Sequence, residues 1–134
     1  MSQKILIVDD EPNTRLLLRR RLEANRLAVI EAGDGPSALQ QAKEGRPDLI
    51  ILDLKMPGQD GIEVYGLLRK EASMEKTPVL FLTALASGDT MTGHSLGLLA
   101  RAKHGVEMEG SYAVMGKPYE AQELMEKIKA LLQG

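Results

Sequence analysis

The residues with the clearest chemical potential are acidic, hydroxyl and basic side chains that follow short apolar runs. Asp9 and Asp10 follow the first run, Asp53 the third, Thr83 the fourth and Lys117 the fifth. Carboxylate oxygens are ligands that Mg²⁺ prefers, and this ion typically brings a phosphate with it. A threonine hydroxyl can donate a hydrogen bond to a phosphoryl oxygen, and a lysine supplies a positive point charge. Together these residue types are the parts of a phosphoryl-transfer site.

Each of these residues alone has an ordinary structural explanation. An aspartate after a strand usually caps a helix or stabilises a turn. That explanation does not cover the whole set, because acids follow two runs while a threonine and a lysine follow two others. Three carboxylates at adjacent strand ends repel one another, and burying them without a counter-ion is costly, so a cation should lie among them.

Short apolar runs, each followed by turn residues and a segment with helical spacing, predict alternating strands and helices. Runs that are apolar on both faces are typical of a parallel sheet covered by helices. The predicted strands are Ile5 to Val8, Ala28 to Ala32, Leu49 to Leu52, Val79 to Leu82 and Tyr112 to Met115. The predicted helices are Pro12 to Asn25, Gly35 to Glu44, Gly61 to Lys70, a fourth that extends to about Lys103, and a last helix. The last helix has an apolar stripe of Leu124, Met125, Ile128, Leu131 and Leu132.

This order of elements predicts an α/β fold with a doubly wound five-stranded parallel sheet and helices on both faces. In such a sheet the carboxyl ends of all strands lie at one edge, where ligands bind at the switch in strand order. The four polar strand ends should therefore meet there. The second strand ends near Asp34 and should lie at an edge away from the site.

Length and composition exclude several classes of protein. With 134 residues, 43% of them hydrophobic and 27% charged, the chain has the size and composition of one globular domain. The net charge of −2 provides no positive field for nucleic acid or an acidic membrane surface, so neither is expected as a partner. The absence of cysteine excludes disulfides and thiolate metal sites, and no apolar run is long enough to span a membrane. We expect a soluble cytoplasmic protein.

Four segments resemble the receiver domain of two-component response regulators. KILIVDDEPNTRLLLRRRLE is similar to the first strand, acidic pair and first helix of that family. PDLIILDLKMPGQDGIEVYGLLRK is similar to its phosphoacceptor strand and the following loop, and PVLFLTA and GKPY are similar to its hydroxyl and lysine signatures. The resemblance covers nearly the whole chain. It implies one receiver domain over residues 1–134, with the flavodoxin-like strand order 2-1-3-4-5.

The resemblance also implies a phosphorelay reaction. Asp53 would take a phosphoryl group from a phosphohistidine of a histidine kinase or a histidine phosphotransfer protein and become an acyl phosphate. Mg²⁺ would be held by Asp10, by Asp53, by the backbone carbonyl of Lys55 and by Asp9, the last either directly or through a water molecule. Members of the family catalyse only their own phosphorylation and dephosphorylation. The chain is therefore expected to be a regulator that changes its affinity for a downstream protein, and not an enzyme acting on other molecules.

Further positions match supporting residues of the family. Thr83 would move towards the phosphoryl group, and Lys117 would pair with Asp53 before phosphorylation and with the phosphate afterwards. Ala84 is small, as the family prefers beside the phosphoryl group. The bond between Lys117 and Pro118 is expected to be cis, a conformation found mainly before proline.

The chain departs from the family pattern between Thr83 and Lys117. These residues are 34 positions apart, about a dozen more than usual, which predicts an inserted segment within about residues 86–111 around the fourth helix. In the family an aromatic residue three positions before the lysine couples phosphorylation to the partner surface. That position is Val114 here, and Tyr112 lies two residues earlier. Either Tyr112 acts from a shifted register or the aromatic switch is absent.

The first predicted helix carries a run of basic residues. Arg15, Arg19, Arg20, Arg21 and Arg26 are expected to make its outer side basic. A charge run of this kind is usually a solvated surface. Because the helix borders the acidic edge of the predicted sheet, the alternative is a docking surface for a kinase or phosphotransfer domain.

Two other functions remain open from the sequence. The inserted segment suggests a receiver-like module that binds partners without regulated phosphorylation. A free-standing Mg²⁺ phosphatase with an aspartyl intermediate is the other; such enzymes commonly carry a second aspartate two positions after the nucleophile, where this chain has Lys55. The sequence ends directly after the last predicted helix, so we expect the domain to act through other proteins. It would do so as a stand-alone regulator or as part of a longer protein.

Overall fold

Five parallel strands form the central sheet of the computed structural model, which describes residues 3–56, 59–84, 112–117 and 119–133. The strands of this sheet are β1 (Lys4–Val8), β2 (Ala28–Ala32), β3 (Leu49–Asp53), β6 (Val79–Ala84) and β7 (Tyr112–Lys117). Their order is β2-β1-β3-β6-β7, and every neighbouring pair is parallel. Counting only these five strands gives the order 2-1-3-4-5, so the predicted fold class is confirmed.

Helices connect the strands and cover both faces of the sheet. They are α1 (Pro12–Ala24), α2 (Gly35–Gly45), α3 (Gly61–Lys70), a short 3₁₀ turn (Ala72–Met74) and the C-terminal helix (Ala121–Leu132). Proline stands in the first turn of α1 and α2, where its missing N–H is tolerated. The predicted fourth helix and the inserted segment lie outside the described residues. Within the described part of the chain, no helix has the length and apolarity needed to cross a bilayer.

A pair of two-residue strands lies between β3 and α3. β4 (Lys55–Met56) and β5 (Gln59–Asp60) are antiparallel and form a separate small sheet. The sequence does not predict this hairpin, because two residues are too few to show the alternation that identifies a strand. This strand pair connects the end of β3 to the first residue of α3.

Alternate residues of the sheet strands enter two separate hydrophobic clusters, one on each face. In β1, Leu6 and Val8 pack with residues of α2 and α3, whereas Ile5 and Ile7 pack with residues of α1 and the C-terminal helix. Successive side chains of a strand point to opposite faces, so a strand covered on both faces must be apolar throughout. This arrangement explains why the strand sequences are short apolar runs with most of their polar residues at the ends; Glu31, inside β2, is an exception.

The apolar stripe predicted for the last helix packs against the sheet. Leu124, Met125 and Ile128 are buried, and Leu131 and Leu132 are partly buried against the same cluster. The acidic and basic residues between them are exposed. A helix with one apolar face of this kind gains most of its stability from packing that face on the sheet.

A hydrogen-bonded cap starts α2. Oδ1 of Asp34 accepts a hydrogen bond from the backbone N–H of Ser37 at 2.8 Å. This bond lowers the pKa of the Asp34 carboxyl. Asp34 thus has the ordinary capping role of an aspartate after a strand, as expected for the second strand end.

We expect Asp34→Ala to lower the melting temperature at neutral pH, because it removes the acceptor for the N–H of Ser37. A carboxyl whose pKa is lowered in the folded state stabilises the fold above its unfolded-state pKa, near the ordinary 3.8. That contribution is lost as the pH falls through the lower folded-state value. The difference in melting temperature between wild type and Asp34→Ala should therefore shrink in acid, as circular dichroism can measure.

Asp34→Asn is the control for this experiment. It keeps a capping oxygen that does not ionise, so the difference between Asp34→Asn and Asp34→Ala should not follow the titration of a carboxyl. A wild-type advantage over Asp34→Ala that is the same at neutral and acidic pH would contradict the assigned ionic cap.

Candidate functional site

The carboxylates of Asp9, Asp10 and Asp53 lie together at the carboxyl edge of the sheet. One oxygen from each lies within 4.8 Å of the others, so the three could hold one metal ion. Asp9 and Asp53 are nearly enclosed, with 3% and 8% of their surface exposed. The structure thus brings together the three acids that the sequence singles out.

The strand register explains why these acids meet. Val8 is paired with Leu52 in the ladder between β1 and β3, so the next residues, Asp9 and Asp53, leave neighbouring strands side by side. Parallel strands all end at the same edge, and this pair of strands flanks the point where the strand order reverses. The polar residues therefore collect where a fold of this kind leaves a crevice.

Lys117 places a positive charge between two of the acids. Its Nζ lies 3.4 Å from Oδ2 of Asp9 and 3.8 Å from Oδ2 of Asp53. The resemblance implied a pairing with Asp53, whereas the shorter contact in the structure is to Asp9. Lys117 is the last residue of β7, two strands from β3, so its long side chain crosses the end of β6 to reach the acids. An ammonium in this place offsets part of the repulsion among the carboxylates.

Asp9 is held by contacts from β2 and from the start of α1. Its backbone N–H donates to the carbonyl of Ala32 at 3.1 Å. Its Oδ1 accepts a hydrogen bond from the backbone N–H of Glu11 at 2.9 Å. Its backbone carbonyl accepts a hydrogen bond from Nη1 of Arg15 at 2.6 Å. The last contact comes from a residue that the sequence analysis placed on the outer, basic side of the first helix.

The expectation of an outer basic face is wrong for two of the arginines in α1. Arg15 and Arg19 are partly buried, and both donate hydrogen bonds to Glu31 of β2. The bond to Glu31 raises the pKa of Arg19. The exposed members of the run are Arg20, Arg21 and Arg26. The signal that could have identified the pairing is Glu31 itself, because an acid in the middle of an apolar strand needs a partner.

Gly61 lets the start of α3 pack directly on the backbone around Asp53. A Cβ at Gly61 would lie 2.3 Å from the carbonyl oxygen of Asp53 and 2.9 Å from Cα of Leu54. The N–H of Gly61 also donates to the carbonyl oxygen of Leu54 at 2.9 Å. Gly61 is a site residue that was not predicted from the sequence, although its place directly after Asp60 in the resembling segment was the available signal.

Other predicted site residues are described in part or not at all. The backbones of Thr83 and Ala84 form the carboxyl end of β6, beside the last two residues of β7. Lys55 begins β4, two positions after the predicted phosphoacceptor. The side chains of these three residues lie outside the described part of the chain, as does Pro118 with its expected cis bond. Their roles stay predictions.

The two positions considered for the switch, Tyr112 and Val114, lie on the same face of β7. Val114 and Tyr112 both pack against the cluster that contains α3. The Tyr112 ring centroid lies 6.1 Å from that of Tyr65 and 6.3 Å from that of Phe81. Tyr112 opens β7, so it lies at the end of the strand away from the acidic edge. A role for Tyr112 or Val114 in switching stays a prediction.

The fold and the acidic edge place this protein in the class of flavodoxin-like α/β domains that carry their site at the switch in strand order. The family model of the response regulator receiver domain matches residues 5–129. Because the match covers most of the chain, the chain belongs to the response regulator receiver domain family.

Curated relatives agree with this family. The chain is 40% identical to the alkaline phosphatase synthesis transcriptional regulatory protein PhoP of Bacillus subtilis over 133 residues, which are 99% of the chain and 50% of the relative. It is 39% identical to the transcriptional regulatory protein ResD of the same organism over 130 residues, 97% of the chain and 48% of the relative. The chain thus spans about half the length of these relatives. Their names describe transcriptional regulators, so the expectation that nucleic acid is not involved gains no support.

A solved structure supports the same fold. The chemotaxis protein CheY4 of Vibrio cholerae has a TM-score of 0.79 and 26% identity to this chain. The similarity covers 98% of this chain and 99% of that one. The chain therefore shares the fold of that protein over nearly its full length.

We expect Gly61→Ala to destabilise the fold by about 1–3 kcal/mol, the usual cost of overpacking a well-packed interior. The added methyl group would meet backbone atoms of Asp53 and Leu54, which cannot rotate out of the way. Denaturant unfolding measures the change through its midpoint.

Gly45→Ala is the matched control for Gly61→Ala. Its Cβ would also meet an atom at short distance, 2.5 Å, but that atom is the terminal Cδ1 of Ile30. A side-chain methyl can move by rotation, so we expect the smaller loss of stability from Gly45→Ala. Equal losses from the two variants would contradict the importance of the backbone contact at Gly61.

Proposed function

We propose that this receiver domain accepts a phosphoryl group on Asp53 from a histidine kinase or a histidine phosphotransfer protein. The reaction depends on Mg²⁺ and switches the affinity of the domain for a downstream protein. The supporting observation is the setting of Asp53, a nearly enclosed carboxylate with Nζ of Lys117 at 3.8 Å and two further carboxylates beside it. In this proposal residues 1–134 form one domain, with an inserted segment within about 86–111.

Asp53 is suited to act as the nucleophile. One carboxylate oxygen forms a bond to phosphorus while the bond from phosphorus to the donor histidine nitrogen breaks. The donor imidazole, protonated on its other nitrogen, leaves as a neutral ring. The product is an acyl phosphate on Asp53, and attack by water later restores the carboxylate and releases phosphate.

Lys117 is suited to hold the negative charge that arrives with the phosphoryl group. Its ammonium already lies near Asp9 and Asp53, so it can contact phosphoryl oxygens without a large movement. Thr83, at the neighbouring strand end, donates its hydroxyl to the phosphoryl group in this proposal. Movement of Thr83 is then the first step of switching, with Tyr112 or Val114 as the candidate for the next.

The donor set fits a hard divalent cation. The three carboxylates carry three negative charges and the ammonium of Lys117 carries one positive charge. The group therefore has an excess of two negative charges. Asp9, Asp10, Asp53 and the backbone carbonyl of Lys55 would hold Mg²⁺, an ion that takes oxygen ligands and keeps part of its water. When bound, Mg²⁺ offsets the charge on the phosphoryl oxygens during transfer.

We expect Asp53→Asn to abolish phosphoryl labelling by a small acyl-phosphate donor in the presence of Mg²⁺, because the amide oxygen is not a competent nucleophile. Intact-mass spectrometry should show a gain of one phosphoryl group in the wild type and none in this variant. Asp34→Asn is the matched control, since Asp34 also follows a sheet strand but caps α2. It should be labelled like the wild type. Labelling that persists in Asp53→Asn would overturn the assignment of the acceptor.

We expect Asp10→Asn to raise the Mg²⁺ concentration needed for half-maximal labelling, because it removes one of the three carboxylates and keeps the nucleophile. The measurement is the rate of labelling over a series of Mg²⁺ concentrations. Glu11→Gln is the control, since Glu11 is the next residue, is exposed and carries the same charge. An equal change in both variants would indicate an effect of net charge and would exclude Asp10 as a ligand.

A further inference from the structure

Arg15 joins three elements beside the acidic edge. Its Nη1 donates to the backbone carbonyl of Asp9 at 2.6 Å, and its Nε donates to Oε1 of Glu31 at 3.0 Å. Asp9 follows β1, Arg15 is in α1 and Glu31 is in β2. The guanidinium of Arg15 therefore links Asp9 to α1 and β2.

Glu31 is held in place from a second side. Its Oε2 accepts a hydrogen bond from Nη1 of Arg19, one turn further along α1. Arg19 also pairs with Glu23 of the same helix, at 3.5 Å. Glu31 is thus held between two guanidiniums, and the Arg15 guanidinium that meets it through Nε directs Nη1 at the carbonyl of Asp9. A planar guanidinium has its donors in a rigid fork, so fixing one nitrogen also fixes the others.

The backbone near Arg15 leaves room for this arrangement. A Cβ at Gly33 would lie 3.2 Å from Nη1 of Arg15 and 4.0 Å from the carbonyl oxygen of Asp9. A larger residue after β2 would crowd the guanidinium of Arg15, and the chain has a glycine there. This close approach is independent of the ion pair and involves the same nitrogen of Arg15.

We infer that the Arg15–Glu31 ion pair is a positioning unit for Asp9 that sets the affinity of the acidic group for a divalent cation. The inference rests on the Mg²⁺ site of the proposed function. The contact of Arg15 with Asp9 is to the backbone carbonyl and not to the carboxylate, so Arg15 acts on the site through the backbone of Asp9. Groups that orient a metal ligand from outside the ligand set often change metal affinity strongly when they are removed.

Cation binding at the acidic group requires Glu31 as well as Arg15, because Glu31 compensates the charge of the guanidinium. A guanidinium bonded to Asp9 is a positive charge close to the place of a divalent cation, which it would repel. Glu31 neutralises that charge at a distance of 3.0 Å. The pair therefore supplies the hydrogen bond to Asp9 without a net positive charge beside the carboxylates.

The two roles of Arg15 give opposite signs in an experiment. If Arg15 acted only by its charge, Arg15→Ala would tighten cation binding, because a repelling group would be gone. If Arg15 positions Asp9, Arg15→Ala weakens binding, by about 10-fold, the lower end of the range for such orienting groups. Mn²⁺ is a suitable probe, because its electron paramagnetic resonance signal distinguishes free from bound ion and Mg²⁺ can be added in competition.

The experiment measures the dissociation constant of Mn²⁺ for the wild type, Arg15→Ala and the control Arg20→Ala. Arg20 is an exposed arginine of the same helix, so its removal changes net charge equally without touching Asp9. We expect weaker binding only for Arg15→Ala. Arg15→Met keeps most of the apolar stem and removes the donors, so it replaces Arg15→Ala if that variant does not fold.

Glu31→Gln provides a readout that a merely structural role would not change. It leaves the charge of Arg15 uncompensated, so binding should weaken, and added salt should restore part of the loss because salt screens the repulsion. The loss in Arg15→Ala should not respond to salt in this way. The double variant should bind like Arg15→Ala alone, because the two residues act as one unit.

Each outcome has a distinct meaning. Unchanged or tighter Mn²⁺ binding by Arg15→Ala, or the same loss in Arg20→Ala, would overturn the inference while leaving the proposed function intact. Additive losses in the double variant would also overturn it. If the wild type bound neither Mn²⁺ nor Mg²⁺, the cation site of the proposed function and this inference would both be wrong. Labelling of Asp53 in the presence of Mg²⁺ tests the remainder of the proposed function separately.

Discussion

Repulsion among carboxylates is the constraint on which the rest of this structure depends. The fold gathers three acids whose oxygens lie within 4.8 Å of one another, two of them nearly enclosed. At an effective dielectric constant of about 20, two charges roughly 5 Å apart interact by about 3 kcal/mol. Lys117 offsets part of this repulsion, and the hydrophobic clusters on both faces of the sheet supply the stability that lets the fold keep the acids in place.

Backbone contacts hold the chain in place at two of the acids. The backbone of Asp9 bonds to Ala32 and Arg15, and the backbone after Asp53 bonds to Gly61. These contacts fix the backbone from which the side chains of Asp9 and Asp53 extend. A fixed backbone keeps the carboxylates close together despite their repulsion, and Lys117 offsets part of that repulsion.

The fold and the meeting of the three acids could be predicted from the sequence, because both follow from local patterns. Apolar runs predicted each strand of the sheet, and the parallel order placed Asp9, Asp10 and Asp53 at one edge. The sequence was insufficient for contacts that depend on how elements pack against one another. The pairing of Arg15 with Glu31 joins a helix to a strand, and a basic run alone does not reveal which of its members turn inward.

The contact between Asp9 and Lys117 spans 108 positions of the chain. A ribosome makes the amino-terminal part first, so all three acids are present well before their lysine is. Until β7 joins the edge of the sheet, the nascent domain carries the acidic group without its internal ammonium. The last strand therefore completes both the sheet and the charge balance of the site.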